Sequence, residues 1–229
     1  MLTKRKKLSK KEMKEDKLVT AYYKVYSFVD ENRNRLLTYA GVLAVIIIAV
    51  VFFVNNRKKN NDEACVQLAR VMNSYDAGNY MEAIEGRAGT KLVGLKKIVD
   101  EYGSTENGEI AKIYLANAYE YLGKTDDAFK YYESYSGSNK IFKATSLAGE
   151  AGYESFKNNY EKAGDLYKKA GHVTNENALN PEYLLQAGIN YLKAGKNAEA
   201  KELFEKIKKD YNTSTAVREV ERYSVQAEQ

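Results

Sequence analysis

The residues that could carry chemistry are few and far apart. His172 is the only histidine and Cys65 the only cysteine among 229 residues. One imidazole excludes a multi-histidine metal centre and makes any Ser-His-Asp triad depend on His172 in the linker GHVTNENALN. One thiol excludes a disulfide framework and a cysteine-based zinc site. Cys65, near Val66, Leu68 and Ala69, reads as a buried, inert thiol, with an intermolecular disulfide across a dimer as the alternative. The carboxylates Asp126-Asp127, Asp100-Glu101 and Glu199/Glu202 lie among lysines, a pattern of helix-end charges and surface pairs. GKT at 123–125 lacks the glycine five residues earlier that a phosphate-binding loop requires. This inventory predicts no enzyme, no cofactor and no metal.

Tyrosine stands apart. There are twenty, and sixteen lie beyond residue 54. A phenol offers a large, stiff contact face and one polar atom, which is chemistry for binding rather than for turnover. What positions these rings decides whether they bind or merely pack.

Stepping along the chain, 36–54 reads LLTYAGVLAVIIIAVVFFV, nineteen residues without a charge. At about 1.5 Å per residue this spans about 28 Å, close to a bilayer's hydrocarbon thickness. A cleaved signal peptide fits poorly: 35 residues precede the run, and no small-x-small site precedes NNRKKNN. An uncleaved single-pass anchor is the expectation. The formal charge of +5 then divides unevenly. Residues 1–35 hold eleven Lys/Arg and five Asp/Glu, net +6, whereas 55–229 hold 25 against 26, net −1. Nucleic acid is therefore not an expected partner of the large domain. The immediate flanks, 16–35 and 55–74, carry four Lys/Arg each, but short tails are retained by their total charge while long domains cross regardless. The tail is expected in the cytoplasm and the 175-residue domain outside it, periplasmic in a Gram-negative host. Within the tail, Ser9 and Glu12 have capping-box spacing, and Leu18, Tyr22, Val25 and Val29 share a helical face opposite Lys17 and Lys24. That predicts either a juxtamembrane amphipathic helix against an anionic leaflet or a solvated charge run that only sets topology.

Internal repetition organises residues 55–229. IYLANAYEYLGKTDDAFKYYESY (113–135) matches YLLQAGINYLKAGKNAEAKELFEKI (183–207): Leu115, Ala116, Tyr119, Gly123, Ala128 and Tyr132 correspond to Ala187, Gly188, Tyr191, Gly195, Ala200 and Phe204. Small residues let paired helices approach, and the glycines suit a left-handed helix end. A third copy, 146–171, keeps Tyr160, Ala163, Tyr167 and Ala170, with Asn158 for the glycine and a first helix shifted by one residue. A first copy carries Gly78, Tyr80 and Ala83, followed by an insertion over GRAGTKLVGLK and a helix at 95–103. Asn180-Pro181 predicts an N-cap and first turn for the last unit, and 214–226 a terminal capping helix.

This pattern resembles the tetratricopeptide repeat (TPR), a helix-turn-helix unit of about 34 residues. The predicted fold is all-α: an N-terminal amphipathic/transmembrane helix followed by a TPR-like α-solenoid of three to four helical hairpins. The domain boundaries are 1–35, 36–54 and 55–229. A basic tail, one anchor and a domain containing IVDEYGSTENGEIAKIYLANAYEYLGKTDDAFKYY and IKKDYNTSTA resemble a family of membrane-anchored periplasmic TPR proteins, among them the ancillary subunit of the bacterial Sec translocon and its relatives. The resemblance implies a non-enzymatic scaffold. Its implied partners are the Sec translocon, a membrane-bound periplasmic chaperone or newly exported chains. A structural, self-associating component of a cell-envelope complex is the alternative, and a cell-wall hydrolase regulator or an undetected enzyme a further one that no residue cluster supports.

In a TPR groove, Tyr114, Asn117 and Tyr121 of one first helix and Gln186, Ile189 and Lys193 of the last should face the concave side. They either bind extended or helical peptide or cover neighbouring repeats. The basic clamp by which some TPR domains hold a C-terminal carboxylate is absent, since Ile113 stands at its lysine position.

Overall fold

The computed structural model describes residues 10–227, with side chains for 17–224. The capping box expected at Ser9 and Glu12 falls outside them. Two compact units divide the chain, Met1–Asn56 and Arg57–Gln229. The first contains α1 (Lys10–Glu31) and the first part of α2 (Arg33–Asp76). Leu18, Tyr22, Val25 and Val29 share the expected face of α1 and are all exposed. Along 36–54 the apolar side chains are exposed too, Ile48 at 68% and Phe52 at 73%. By length and composition α2 can cross a membrane.

The second unit is a stack of helical hairpins. Residues 57–76 of α2 share a hydrophobic core with α3 (Tyr80–Glu85) and α4 (Leu95–Tyr102); α5 (Glu106–Tyr121) pairs with α6 (Thr125–Glu133). Next come α7 (Lys140–Phe156) with α8 (Tyr160–Ala170), then α9 (Asn180–Lys193) with α10 (Asn197–Asp210), closed by α11 (Ala216–Ala227). The only pairing of extended backbone among the described residues is an isolated bridge, Gly86 to Val93, which closes the insertion loop. The loop splits one second helix into α3 and α4, where the insertion expected over GRAGTKLVGLK places it.

One turn is built four times. Gly78, Gly123, Asn158 and Gly195 have φ of 75°, 71°, 63° and 74°. After each, the next amide reaches back five residues: Asn79 to Ser74, Lys124 to Tyr119, Asn159 to Glu154 and Lys196 to Tyr191, at 2.8–2.9 Å. The left-handed residue turns the chain so that two helix-end carbonyls are satisfied. At Gly123 a Cβ would meet nothing within 4 Å, so only backbone conformation opposes a side chain there. Gly123→Ala is therefore expected to destabilise by about 1 kcal/mol, with Gly123→Asn milder. A thermal melt by circular dichroism checks this; equal melting of the alanine variant and wild type would remove the conformational argument.

Counting from these turns aligns the hairpins. Five residues after each lies a buried alanine: Ala83, Ala128, Ala163 and Ala200. Seven residues before lie Ala116, Ala151 and Gly188, the two alanines fully buried. Ala151 thus holds its place, and the one-residue shift expected in α7 is not present. What misled the spacing is the residue four before the turn, Glu154 where the neighbouring hairpins have Tyr119 and Tyr191. Glu154 stays buried because Asn159 and Lys162 donate to it at 2.8 and 2.7 Å. Despite the opposing cost of burial, the Lys162 bond holds its carboxyl below the usual range.

Two further expectations are corrected. Cys65 is exposed, because the buried stripe of α2 runs through Ala64, Leu68 and Val71 and leaves its neighbour on the outside. Asn180 does not cap α9: it is the first helical residue, fully buried, and its Nδ2 donates to the Thr174 carbonyl at 2.6 Å. Asn177 makes the turn instead, its Oδ1 accepting from the Leu179 amide at 3.0 Å. Pro181 is in the first turn as expected.

Large apolar residues concentrate at the two ends of the stack: Val71, Ile84, Leu95, Ile98, Ile113 and Leu115 in one core, Leu184, Leu203, Phe204, Ile207 and Val220 in the other. The α7–α8 hairpin joins them mainly through small residues, Ala144, Ala151, Ala163 and Ala170, with tyrosine rings filling the gaps.

Candidate protein-binding groove

The first helices, 57–76 of α2, then α5, α7 and α9, carry equivalent positions nine, six and two residues before the turn. On α5 these are Tyr114, Asn117 and Tyr121, and on α9 Gln186, Ile189 and Lys193. The six candidate residues therefore occupy matching positions two hairpins apart. The structure does not bring the two sets into contact; α7 intervenes with Gly149, Gly152 and Phe156.

On α5 two of the three side chains are already engaged. Tyr114 is half-buried, edge-on to Tyr75 at 5.2 Å and to Phe142 at 6.2 Å between ring centroids. Asn117 Oδ1 lies 2.5 Å from the hydroxyl of Tyr132 on α6, which can donate to it or to Glu120 at 2.7 Å. Both residues thus cover neighbouring helices, the packing alternative raised above. Tyr121 is different: it stacks on Tyr80 at 4.6 Å and 10° and remains 66% exposed. The Tyr75 phenol is pushed up to about 12, chiefly by burial, with the Asn117 side chain pulling the other way. Burial and then the charge of Glu120 raise Tyr132 further. These phenols stay neutral at physiological pH, serving as hydrogen-bond donors and ring faces rather than bases.

On α9, Gln186, Ile189 and Lys193 line a depression of about 540 Å³ with Leu192, Asn197 and Tyr223, the last contributed by α11. Gln186 Nε2 donates to Glu182 at 3.1 Å. The Lys193 ammonium lies over the Tyr160 ring, 5.2 Å from its centroid, a cation–π contact.

The family model described as tetratricopeptide repeat matches residues 111–136 and 182–214. The chain carries tetratricopeptide repeats. The matched stretches are the second and fourth hairpins. The first and third repeats share their turn geometry and buried alanines but lie outside the matches, one split by an insertion and the other carrying Glu154 in place of the tyrosine. No curated protein and no solved structure matches the chain.

Sequence reasoning missed three groove residues. Phe156 of α7, 63% exposed, occupies the same position in its repeat as Tyr121 and Lys193; counting back from Asn158 without the one-residue shift would have found it. Glu120 and Tyr167 had no such signal, because their importance comes from what faces them. Among the other residues weighed for chemistry, His172 is exposed at the end of α8, with Nδ1 2.7 Å from the Lys168 carbonyl. Asp126 and Asp127 sit in the first turn of α6, and Asp126 accepts from Tyr153 at 2.8 Å. Ile113 is 1% exposed, a core residue.

Proposed function

We propose that the protein is a non-enzymatic, membrane-anchored scaffold whose TPR groove binds another protein. The observation that carries this reading is the conjunction, in one chain, of tetratricopeptide repeats with an uncharged, exposed helical run of nineteen residues. Repeats of this type supply a protein-binding surface. Tethering confines that surface to a thin layer at the bilayer and raises its effective concentration toward partners there. The charge division, +6 before the run and −1 after it, supports an N-terminus in the cytoplasm of an inner-membrane protein and a periplasmic repeat domain. The basic tail also suits anionic lipid headgroups. By resemblance, the partners are the Sec translocon, a membrane-bound periplasmic chaperone or exported chains.

Two experiments test this. Cys65 is the sole thiol and is exposed, so a membrane-impermeant maleimide should label it from the outer face of spheroplasts. Labelling only after lysis would reverse the topology. A photo-crosslinking residue in place of Tyr121 or Lys193, activated in intact membranes and followed by mass spectrometry, should capture protein. Recovery of lipid alone or of self-contacts alone would overturn the groove reading, and the latter would favour a self-associating envelope component.

A further inference from the structure

We propose that the middle of the groove, over α7, accepts a basic side chain of the bound polypeptide, a lysine ammonium or an arginine guanidinium, between Glu120, Tyr167 and Glu182. This rests on the groove reading and adds the chemistry of the partner.

The inference comes from comparing successive repeats at one position. Nine residues after the last three turns the second helix carries an aromatic ring: Tyr132, Tyr167 and Phe204. Tyr132 reaches the residue six before its own turn, Asn117, and finds a hydrogen-bond acceptor there. One repeat on, the corresponding residue is Gly152. A Cβ built on Gly152 would lie 3.4 Å from the Tyr167 hydroxyl and 3.9 Å from Glu120 Oε1, with no other atom within 4 Å. The space that Asn117 fills in the second repeat is therefore bare backbone in the third. Among the described residues nothing hydrogen-bonds the Tyr167 hydroxyl, although burial and the charges of Glu120 and Glu182 hold the phenol near 12.

The two carboxylates whose charge acts on the Tyr167 phenol lack counter-charge. Glu109, Glu154 and Glu161 all hold lysine partners, whereas Glu120 and Glu182 make no ion pair among the described residues. Glu120 accepts only from Tyr132, and Glu182 only from Gln186. Neighbouring lysines are committed elsewhere, Lys157 to Asp126 at 3.3 Å and Lys193 to the Tyr160 ring. A neutral or acidic chain laid across the groove would desolvate two anions without compensation. A basic side chain compensates both and can also donate to the free phenol.

The test pans a random twelve-residue phage-displayed peptide library against the full chain in detergent micelles. Calorimetry follows on synthetic copies of the selected peptides. The expected result is selection of peptides sharing a lysine or arginine. Replacing that residue by norleucine should weaken binding at least tenfold, and the double variant Glu120→Gln/Glu182→Gln should bind both peptides equally. Gly152→Asn gives Tyr167 the amide that Asn117 gives Tyr132 and should abolish the preference while melting no lower than wild type. Selected peptides without a basic residue, or equal affinity of the lysine and norleucine forms, would overturn the cation site and leave the groove standing. Failure to select any peptide would overturn both.

Discussion

Glu109→Ala is expected to destabilise the repeat domain by about 3 kcal/mol, the typical cost of stripping one partner from a buried ion pair. Glu109 is 6% exposed on α5 and, with Lys112, anchors the α6–α7 connection. Its Oε1 accepts from Lys112 Nζ and from the Ser136 hydroxyl, both at 2.8 Å, and its Oε2 accepts from the Ser136 amide at 2.8 Å. Lys112 also donates to the Ser134 carbonyl at 3.1 Å. Alanine would leave a largely buried ammonium and a backbone amide without their acceptor. Burial by itself would raise the Glu109 carboxyl; the bonds from Lys112 and Ser136 outweigh it and hold the group below its ordinary range. A depressed folded-state value means the unfolded chain binds the proton first. The stabilisation is complete above the unfolded carboxyl's range and is lost as pH falls through the folded value. Urea unfolding followed from neutral pH into the acid range should show wild type losing this contribution and Glu109→Gln lacking it throughout. Identical pH slopes for the two proteins would show that the network contributes nothing.

Gly149→Ala and Gly152→Ala, three residues apart on α7, are expected to act with opposite sign. A Cβ on Gly149 would overlap the ring of Tyr132. That ring cannot retreat easily: its hydroxyl is held at Asn117 and Glu120, and Ser146 Oγ bonds its carbonyl at 2.9 Å. Overpacking of this kind costs about 1–3 kcal/mol. The gain of up to about 1 kcal/mol from replacing a helical glycine offsets only part of it. At Gly152 the same methyl meets ordinary van der Waals distances, leaving the propensity gain. The propensity gain is common to both, so the pair should differ by the overpacking cost, about 1–3 kcal/mol in unfolding free energy. In a double-mutant cycle, Tyr132→Leu should suppress the Gly149→Ala penalty, because the clash is with that ring. Additive effects would mean that α7 shifts as a body to accept the methyl.

Much of the architecture was readable from residue types within a turn or two of one another. The Gly123 and Gly195 hairpins showed themselves because glycine is the residue that enters the left-handed region without penalty. The third repeat was harder, since asparagine takes the same conformation at Asn158 and a buried glutamate stands where a tyrosine was expected. Cys65 misled for a different reason. It lies one residue from Ala64 on a helix whose buried stripe is narrow, and about 100° of rotation separates core from solvent. The groove candidates on α5 and α9 occupy matching register positions, yet only Tyr121 among the α5 set keeps most of its surface free.

By itself, the sequence determined the helical class, the repeat period, the uncharged run at 36–54 and the asymmetry of charge about it. Each of these depends on composition or on spacing along a single helix. Only the tertiary structure decided that Glu109 reaches Ser136 across 27 residues and that Tyr132 is answered by an asparagine while Tyr167 faces empty backbone above Gly152. The period places a tyrosine at the same position of the second and third repeats, Tyr132 and Tyr167. Whether its hydroxyl is satisfied or left free for a ligand depends on the one residue that folding sets across from it.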